Sequence, residues 1–414
     1  MIIDLPKTTT VAVSKKLVAL RNDVGAMTLG RVLTLIIVID DHQAEDIIEA
    51  ANDASRQHPC RIVVVVAGNR RGANRMDAQV RVGGDAGASE VIVLRLFGEL
   101  AKHGQSVVTP LLLADSPVVA WWPHEMPAEL RVDPIAQMAQ RRITDAAEAG
   151  NPAQMLKRLA ARYQPGDTDL AWTRITLWRG LLAAALDGPP YEPVTEAVVA
   201  GANDSPSSEL LAAWLGLVLK APVRRVKTAA GTGVVSVRLE RKSGPIDLVR
   251  PDGSTAILSQ PGQPDRRISL KRRALAECLA DELRRLDDDD IYAETLTKGL
   301  GTLSSVRLTA SEAAAKGEAP STQASRALAA KLARGRSADQ AAEMVVAPPP
   351  PDEGDTAAVQ KATARKRAGT PTEREKAVAE RSRTTGTAAK KKAVRKAAAE
   401  SAATRPGASR RSPS

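Results

Sequence analysis

The sequence is short of the residues that most catalytic and covalent scaffolds rely on. Two cysteines in 414 residues exclude a disulfide framework and an all-cysteine zinc site. Four histidines leave little material for a multi-histidine metal centre. Aromatic residues make up 2% of the chain, with five Trp, three Tyr and one Phe, too few for the stacking platforms that hold single-stranded nucleic acid. No apolar run approaches the ~18 residues of a membrane span. The longest, Val32–Ile39 and Arg61–Ala67, have the length of strands. The first residues lack the basic start and apolar stretch of a secretory signal. A cytoplasmic protein with both thiols reduced is expected. The signatures GxxxxGK[ST], HExxH, CxxC and GxSxG are all missing, so no catalytic residue, metal or cofactor is assigned.

Hydrophobic residues nevertheless reach 43%, enough for two or three folded domains. The net charge of +11 is unevenly placed: residues 311–414 carry 21 basic and 11 acidic side chains, which leaves about +1 for the rest. That tail is built from Ala, Lys, Arg, Ser, Thr, Glu and Pro, with a proline stop at Pro348–Pro351 and no aromatic residue. Such a composition buries too little apolar surface to offset chain entropy, so a disordered basic tail is expected from 306 onward. Its stretch 361–411 would contact polyanions non-specifically.

The body reads as α/β. A helix is expected near Ser14–Asp23, with Leu17, Val18 and Leu20 on its apolar side, followed by breaks at Gly25 and Gly30. Arg31–Asp40 and Cys60–Ala67 are β-branched runs typical of strands buried on both faces. Between them, Ala44, Ile47, Ile48 and Ala51 mark an amphipathic helix, with Asp40 and Asp41 as cap candidates. This is a right-handed βαβ unit with parallel strands. Further strands are expected at Gln79–Val82 and Glu90–Phe97, an apolar run at Val107–Leu113, and a closing strand at Val118–Trp122. Residues 126–190 read as helices over Ile135–Ala149, Pro152–Tyr163 and Leu170–Leu186. Strands then begin again at Val194–Gly201, with a helix over Ser208–Lys220 and a last helix over Arg273–Leu286. The expected architecture is two mixed-sheet α/β units, 1–125 and 191–305, joined by a helical connector at 126–190, with the tail at 306–414. The shared order of elements suggests a pseudo-repeat.

Several residues invite a chemical reading. Gly68–Arg75 follows a parallel strand at its carboxyl end, where Arg70, Arg71 and Arg75 would hold an anion, or else line a solvated basic hairpin. Gly231-Thr232-Gly233 precedes a strand, the reverse of the dinucleotide fingerprint. His124-Glu125 reads as a surface ion pair or an acid–base pair. The run Asp287–Asp290 reads as a solvated helix end or a cation site. Cys60 and Cys278 sit among apolar residues and read as core, with a redox role the lesser alternative. In Trp121-Trp122, adjacent strand residues face opposite sides, so one ring points to each face.

Two stretches carry a resemblance: PLLLADSPVVAWWP at Pro110–Pro123 and DTDLAWTRITLWRGLLAAALD at Asp167–Asp187. With TLGRVLTLIIVI at Thr28–Ile39 and RRITDAA at Arg141–Ala147, they make residues 1–305 similar to the OpcA family of glucose-6-phosphate dehydrogenase assembly proteins, and to its actinobacterial form above all. The resemblance implies a non-enzymatic effector that binds glucose-6-phosphate dehydrogenase, promotes its active oligomer and serves NADPH supply in the oxidative pentose phosphate pathway. Thiol redox control, known in photosynthetic relatives, does not carry over to a chain whose two cysteines lie far apart in sequence. The expected contact residues are Trp122, His124, Arg174 and Arg179, with Trp121, Trp172 and Trp178 as organisers. Two other readings stay open: a sugar-phosphate enzyme or sensor using Arg70–Arg75, and a nucleic-acid-associated protein acting through the tail.

Overall fold

The computed structural model describes residues 1–24, 31–40, 44–82, 90–303 and 307–309. The expected breaks at Gly25 and Gly30, the cap role expected of Asp41, and the expected basic tail with the polyanion contact expected of 361–411 lie outside the described residues.

The chain begins with β1 (Ile2–Leu5), α1 (Thr10–Val24), β2 (Leu33–Asp40), α2 (Ala44–Ser55), β3 (Cys60–Ala67), β4 (Arg75–Arg81) and β5 (Glu90–Phe97). It continues through α3 (Gly104–Val108), β6 (Val118–Trp122), α4 (Pro134–Met138), β7 (Arg141–Thr144), α5 (Pro152–Arg162) and β8 (Asp167–Asp169). These strands form an eight-stranded sheet in the order β1-β4-β5-β3-β2-β6-β7-β8. The six strands from β5 to β8 run parallel, and their order is that of a doubly wound sheet whose direction of progression reverses between β2 and β6. β4 and β1 add an antiparallel edge.

The second half comprises α6 (Leu170–Thr173), α7 (Thr176–Leu186), β9 (Glu196–Ala202), α8 (Pro206–Leu219), β10 (Val223–Thr228) and β11 (Val234–Glu240). Then follow β12 (Ile246–Val249), β13 (Thr255–Ser259), β14 (Arg266–Ser269), α9 (Leu275–Arg284), α10 (Asp290–Glu294), α11 (Leu300–Thr302) and β15 (Arg307–Thr309). Its seven-stranded mixed sheet has the order β14-β13-β12-β11-β9-β10-β15. The fold is thus α/β with two mixed sheets, as expected. The common element order does not extend to topology: β3 is flanked by parallel neighbours, whereas β9 lies between parallel β10 and antiparallel β11.

Alternation explains the layering of the first sheet. Ile36, Val63, Val65, Ile92 and Trp122 face a core shared with Val13, Leu17 and Leu20 of α1. Leu35, Ile37, Ile62, Val64 and Trp121 face the opposite way, onto Ile47, Ile48 and Ala51 of α2. The two tryptophans therefore fill opposite faces, as their adjacency requires. Val18, expected on the apolar side of α1, is 52% exposed; the stripe runs through Val13 instead.

Three other expectations are corrected. The helix expected over Ile135–Ala149 stops at Met138, and Arg141–Thr144 becomes β7, hydrogen-bonded between β6 and β8. The run Val107–Leu113 forms no strand of the layer: Val107 and Val108 close α3, and Thr109–Leu111, with Pro110 inside it, make a 3₁₀ turn directly after. The connector is not helical throughout, because β7 and β8 extend the first sheet.

The last long helix, α9, leaves the second sheet and covers the first. Cys278, Leu279, Ala280 and Leu283 of α9 are buried against Ile143, Leu170 and the α2 face of the first sheet. A buried ion pair fastens the return: Arg141 Nη2 lies 2.6 Å and its Nε 3.2 Å from Glu282 Oε2. Arg141 Nη1 also donates to the Asp287 carbonyl at 2.7 Å, and Thr173 donates to the other Glu282 oxygen. The second half also joins the remaining core, which includes Trp178 and Leu182 of α7 and Leu210 and Leu211 of α8. Among the described residues no helix is long and apolar enough to cross a membrane.

Replacing Arg141 by Ala would leave Glu282 buried without its partner. Loss of one member of a buried pair costs about 3–5 kcal/mol, so Arg141→Ala should lower the urea midpoint sharply. An unchanged midpoint would mean that the clasp does not hold α9.

Candidate functional site

All four tryptophans singled out from the sequence are buried: Trp121 and Trp122 within β6, Trp172 in α6 and Trp178 in α7. They join layers of the fold. Trp122, at 1% exposure, shows no more than an edge to the recess at the carboxyl end of β6, too little for the anchor expected of it at a protein contact.

The indole N–H of Trp172 donates to Asp289 Oδ2 at 2.8 Å, and Arg179 stacks on the same ring, its guanidinium carbon 3.6 Å from the centroid. Burial pulls the Arg179 pKa down to about 10, which leaves the group cationic at neutral pH. Asp289 also caps α10 by accepting from the Tyr292 amide at 2.9 Å. The acidic run is therefore not the end of α9, which stops at Arg284, but the start of the next helix, where negative charge is favourable. Among the described residues no cluster of three or more acidic, His or Cys side chains is arranged to hold a metal ion.

Arg174 makes a bidentate pair with Asp145, 2.6 Å at each oxygen. Burial alone would lower its pKa, but the hydrogen bonds and charge of Asp145 outweigh burial and raise it. Arg174 is thus committed within the fold and is no free contact residue. Beside it, Asp169 is wholly buried and accepts from the Ala146 and Ala171 amides at 2.9 Å and from the Thr144 hydroxyl at 2.6 Å. Burial, with Asp145 close by, still pushes its carboxyl up to about 6. Cys60 and Cys278 are both buried, and burial pushes the Cys278 thiol up to about 11, far from the thiolate that redox chemistry needs.

Two recesses open at the ends of strands. The first, of about 580 Å³, lies where the sheet order reverses, between the carboxyl ends of β2 and β6. Asp40, Arg70, Lys102, Trp122, His124 and Asp133 line it, so it brings together three residues of the sequence reading, Arg70, Trp122 and His124. The three arginines of the Gly68–Arg75 loop diverge, however. Arg71 is exposed, and Arg75 lies 4.1 Å over the Phe97 ring and pairs with Asp77 at 3.1 Å. Asn69 and Asn74 take up the backbone N–H groups of Arg71 and Glu99, so the loop offers no single anion cradle. His124 is half-buried, and the neighbouring Glu125 accepts from the Gly150 amide at 2.9 Å.

The second recess, of about 430 Å³, lies between the two sheets. Its walls are the loop after β7, the start of α7 with Trp178, the N-terminus of α8, the Gly231–Gly233 turn, and residues 272–275 leading into α9. Arg174, Arg250, Arg272 and Arg273 all reach it. Sequence reasoning missed Arg250 and Arg272. The one available signal was the glycine pair before β11, whose surroundings no local pattern reveals.

Residues 51–161 match a protein family described as the glucose-6-phosphate dehydrogenase subunit N-terminal domain, and residues 165–296 match its C-terminal domain, both of the OpcA type. No curated protein matches the chain. Among solved structures, UDP-N-acetylglucosamine 3-dehydrogenase GnnA from Acidithiobacillus ferrooxidans aligns at 11% identity and a TM-score of 0.30, over 65% of this chain and 96% of that one. An E. coli structure described as trehalose-6-phosphate bound with UDP-2-fluoro glucose aligns at 9% identity and a TM-score of 0.20, over 48% and 65% of the two chains. Likeness at these scores carries no argument about this chain.

The buried Asp169 sets a pH dependence. Its carboxyl titrates near 6 in the folded chain against 3.8 when free, so the folded state takes up the proton first. This group adds stability as pH falls from 6 towards 4 and withdraws it as pH rises through that window. Relative to Asp169→Asn, the wild-type chain should therefore lose about 3 kcal/mol between pH 4 and pH 7 in urea unfolding. Parallel curves for the two chains would contradict this.

Proposed function

We propose a binding role, from the premise that this chain belongs to the OpcA family of glucose-6-phosphate dehydrogenase assembly subunits. It acts in the cytoplasm as a non-catalytic effector that binds glucose-6-phosphate dehydrogenase and favours its active oligomer. The match of both family domains, covering residues 51–161 and 165–296, carries this reading.

The physical requirement is differential affinity. An effector shifts a population only as far as it binds one state better than another. A tenfold preference supplies about 1.4 kcal/mol, enough to change a balanced oligomer equilibrium visibly.

The contact surface is proposed to be the outward side of α7. Leu177 is 47% exposed there, Gly180 has open space above it, and Ala184 is exposed one turn further on. These positions share one helix face. Arg179 flanks it, held rigid by its stacking on Trp172, as an interface anchor should be. Arg179 thus stays as a contact residue, while Trp121, Trp122, Trp172 and Trp178 act as organisers beneath the surface and His124 lines the first recess.

The test titrates the full-length chain into the same organism's glucose-6-phosphate dehydrogenase, with initial rate and light-scattering mass recorded together. A saturable rate change with a heavier species is expected; neither change would sink the reading. Leu177→Asp should weaken the complex by ~2 kcal/mol, roughly 30-fold, with an unaltered melting temperature. Wild-type affinity in that variant would move the surface elsewhere.

A further inference from the structure

The recess between the sheets has a cationic floor that the fold does not neutralise. Arg250, just past β12, is 5% exposed. Its Nη1 and Nη2 donate to the carbonyls of Leu270 at 3.1 Å and Val234 at 2.8 Å, and its Nε has no partner. Arg272 donates to the carbonyls of Gly231, at 2.7 Å, and Thr232. Both guanidiniums converge on Gly233: a Cβ built there would lie 3.9 Å from Arg250 Nη2 and 4.0 Å from Arg272 Cζ.

Among the described residues neither arginine has a carboxylate within ion-pair distance. Asp252, the nearby acid, is turned onto the amides of Ser254 and Thr255, at 2.8 and 2.7 Å. By contrast, Arg174 is matched by Asp145 and Arg273 by Asp281 at 2.7 Å. Two neighbouring guanidiniums in a recess repel one another, and burial together with Arg272 pulls Arg250 down to about 10. The N-terminus of the 14-residue α8, capped by Ser205, opens on the same recess and adds partial positive charge. A fold that only needed to fill this space would place an acid between the arginines. The arrangement calls for an external anion.

The rim differs from the floor. Asp204 and Glu148 are exposed there, and Asp204 accepts from the Gly231 amide at 3.2 Å. Carboxylates accept hydrogen bonds from hydroxyl groups and repel further phosphates. A recess of about 430 Å³ with such a rim suits a small ligand and disfavours a nucleic-acid strand.

We propose that this recess binds a small phosphorylated polyol of hexose size, with its phosphoryl oxygens on Arg250 and Arg272 and its hydroxyls towards Asp204 and Glu148. Guanidinium forks match phosphoryl oxygens in pairs, which a lone lysine does not. The site stands apart from the partner assignment, since it concerns the chain alone.

The test is calorimetric titration of the full-length chain, without any dehydrogenase, with glucose 6-phosphate, inorganic phosphate and glucose in separate arms. Saturable one-to-one binding of the hexose phosphate is expected, at least tenfold tighter than inorganic phosphate, with no binding of glucose. Equal binding of the two phosphates would overturn the hydroxyl half of the proposal. Absence of saturable binding by either would overturn it entirely. Arg272→Gln should weaken the hexose phosphate at least tenfold; undiminished binding would place the anion elsewhere, on the basic tail for example. Should that variant fail to fold, backbone amide shifts decide the matter in the wild-type chain. Resonances of Gly231, Thr232 and Gly233 should move with the same saturation curve, and their stillness would refute the site.

Discussion

The Arg141–Glu282 pair is the contact on which the architecture turns. The two residues lie 141 positions apart, one in an inner strand of the first sheet and the other in the last long helix of the second half. Their carboxylate and guanidinium are both buried, and such a pair is costly to break because either partner alone would be stranded. Thr173 donates to the other Glu282 oxygen, and the Asp287 carbonyl accepts a further bond from Arg141. Around this clasp, α9 covers the first sheet with Cys278, Leu279 and Leu283, so that neither sheet is a free-standing unit.

That interlocking explains what the tryptophans do. Trp121 and Trp122 fill opposite faces of one strand, Trp178 joins α7 to the second sheet, and Trp172 ties the connector to the segment after α9 through Asp289. In a chain with 2% aromatic residues, four of the five tryptophans are buried between layers. The surfaces proposed for recognition are different in kind: the small apolar outward side of α7, and a recess lined by charge. A rigid seam under an exposed face suits a binding protein, because the face is already ordered before the partner arrives.

Much of the fold was legible where a strand or helix carries its own pattern. The runs LTLIIVID and CRIVVVVA are strand-length and rich in β-branched residues, and Ala44, Ile47, Ile48 and Ala51 mark one helix face. Legibility failed where polar chemistry is used inside the fold. The segment RRIT follows alanine-rich sequence and reads as helix, yet it is a strand, because pairing with β6 and β8 and the reach of Arg141 to Glu282 outweigh a weak local propensity. The strand VRRVKT was missed for the same reason: Arg225 is buried there and donates to the carbonyls of Gly201 and Ala202 at 3.1 and 2.8 Å.

The sequence by itself determined the α/β class, the positions of the long apolar strands, the opposite facing of Trp121 and Trp122, and the family of the chain. The first three rest on periodicity or on contiguous residues, which local sterics and burial translate directly into structure, and the family rests on the resemblance of its motifs. Only the tertiary structure decided that α9 returns to the first sheet, that Arg174 is spent on Asp145, and that Arg250 and Arg272 converge over Gly233. These depend on which distant charge each guanidinium meets or fails to meet. An arginine looks the same in sequence whether its partner is a carboxylate, a carbonyl or a ligand that has yet to arrive.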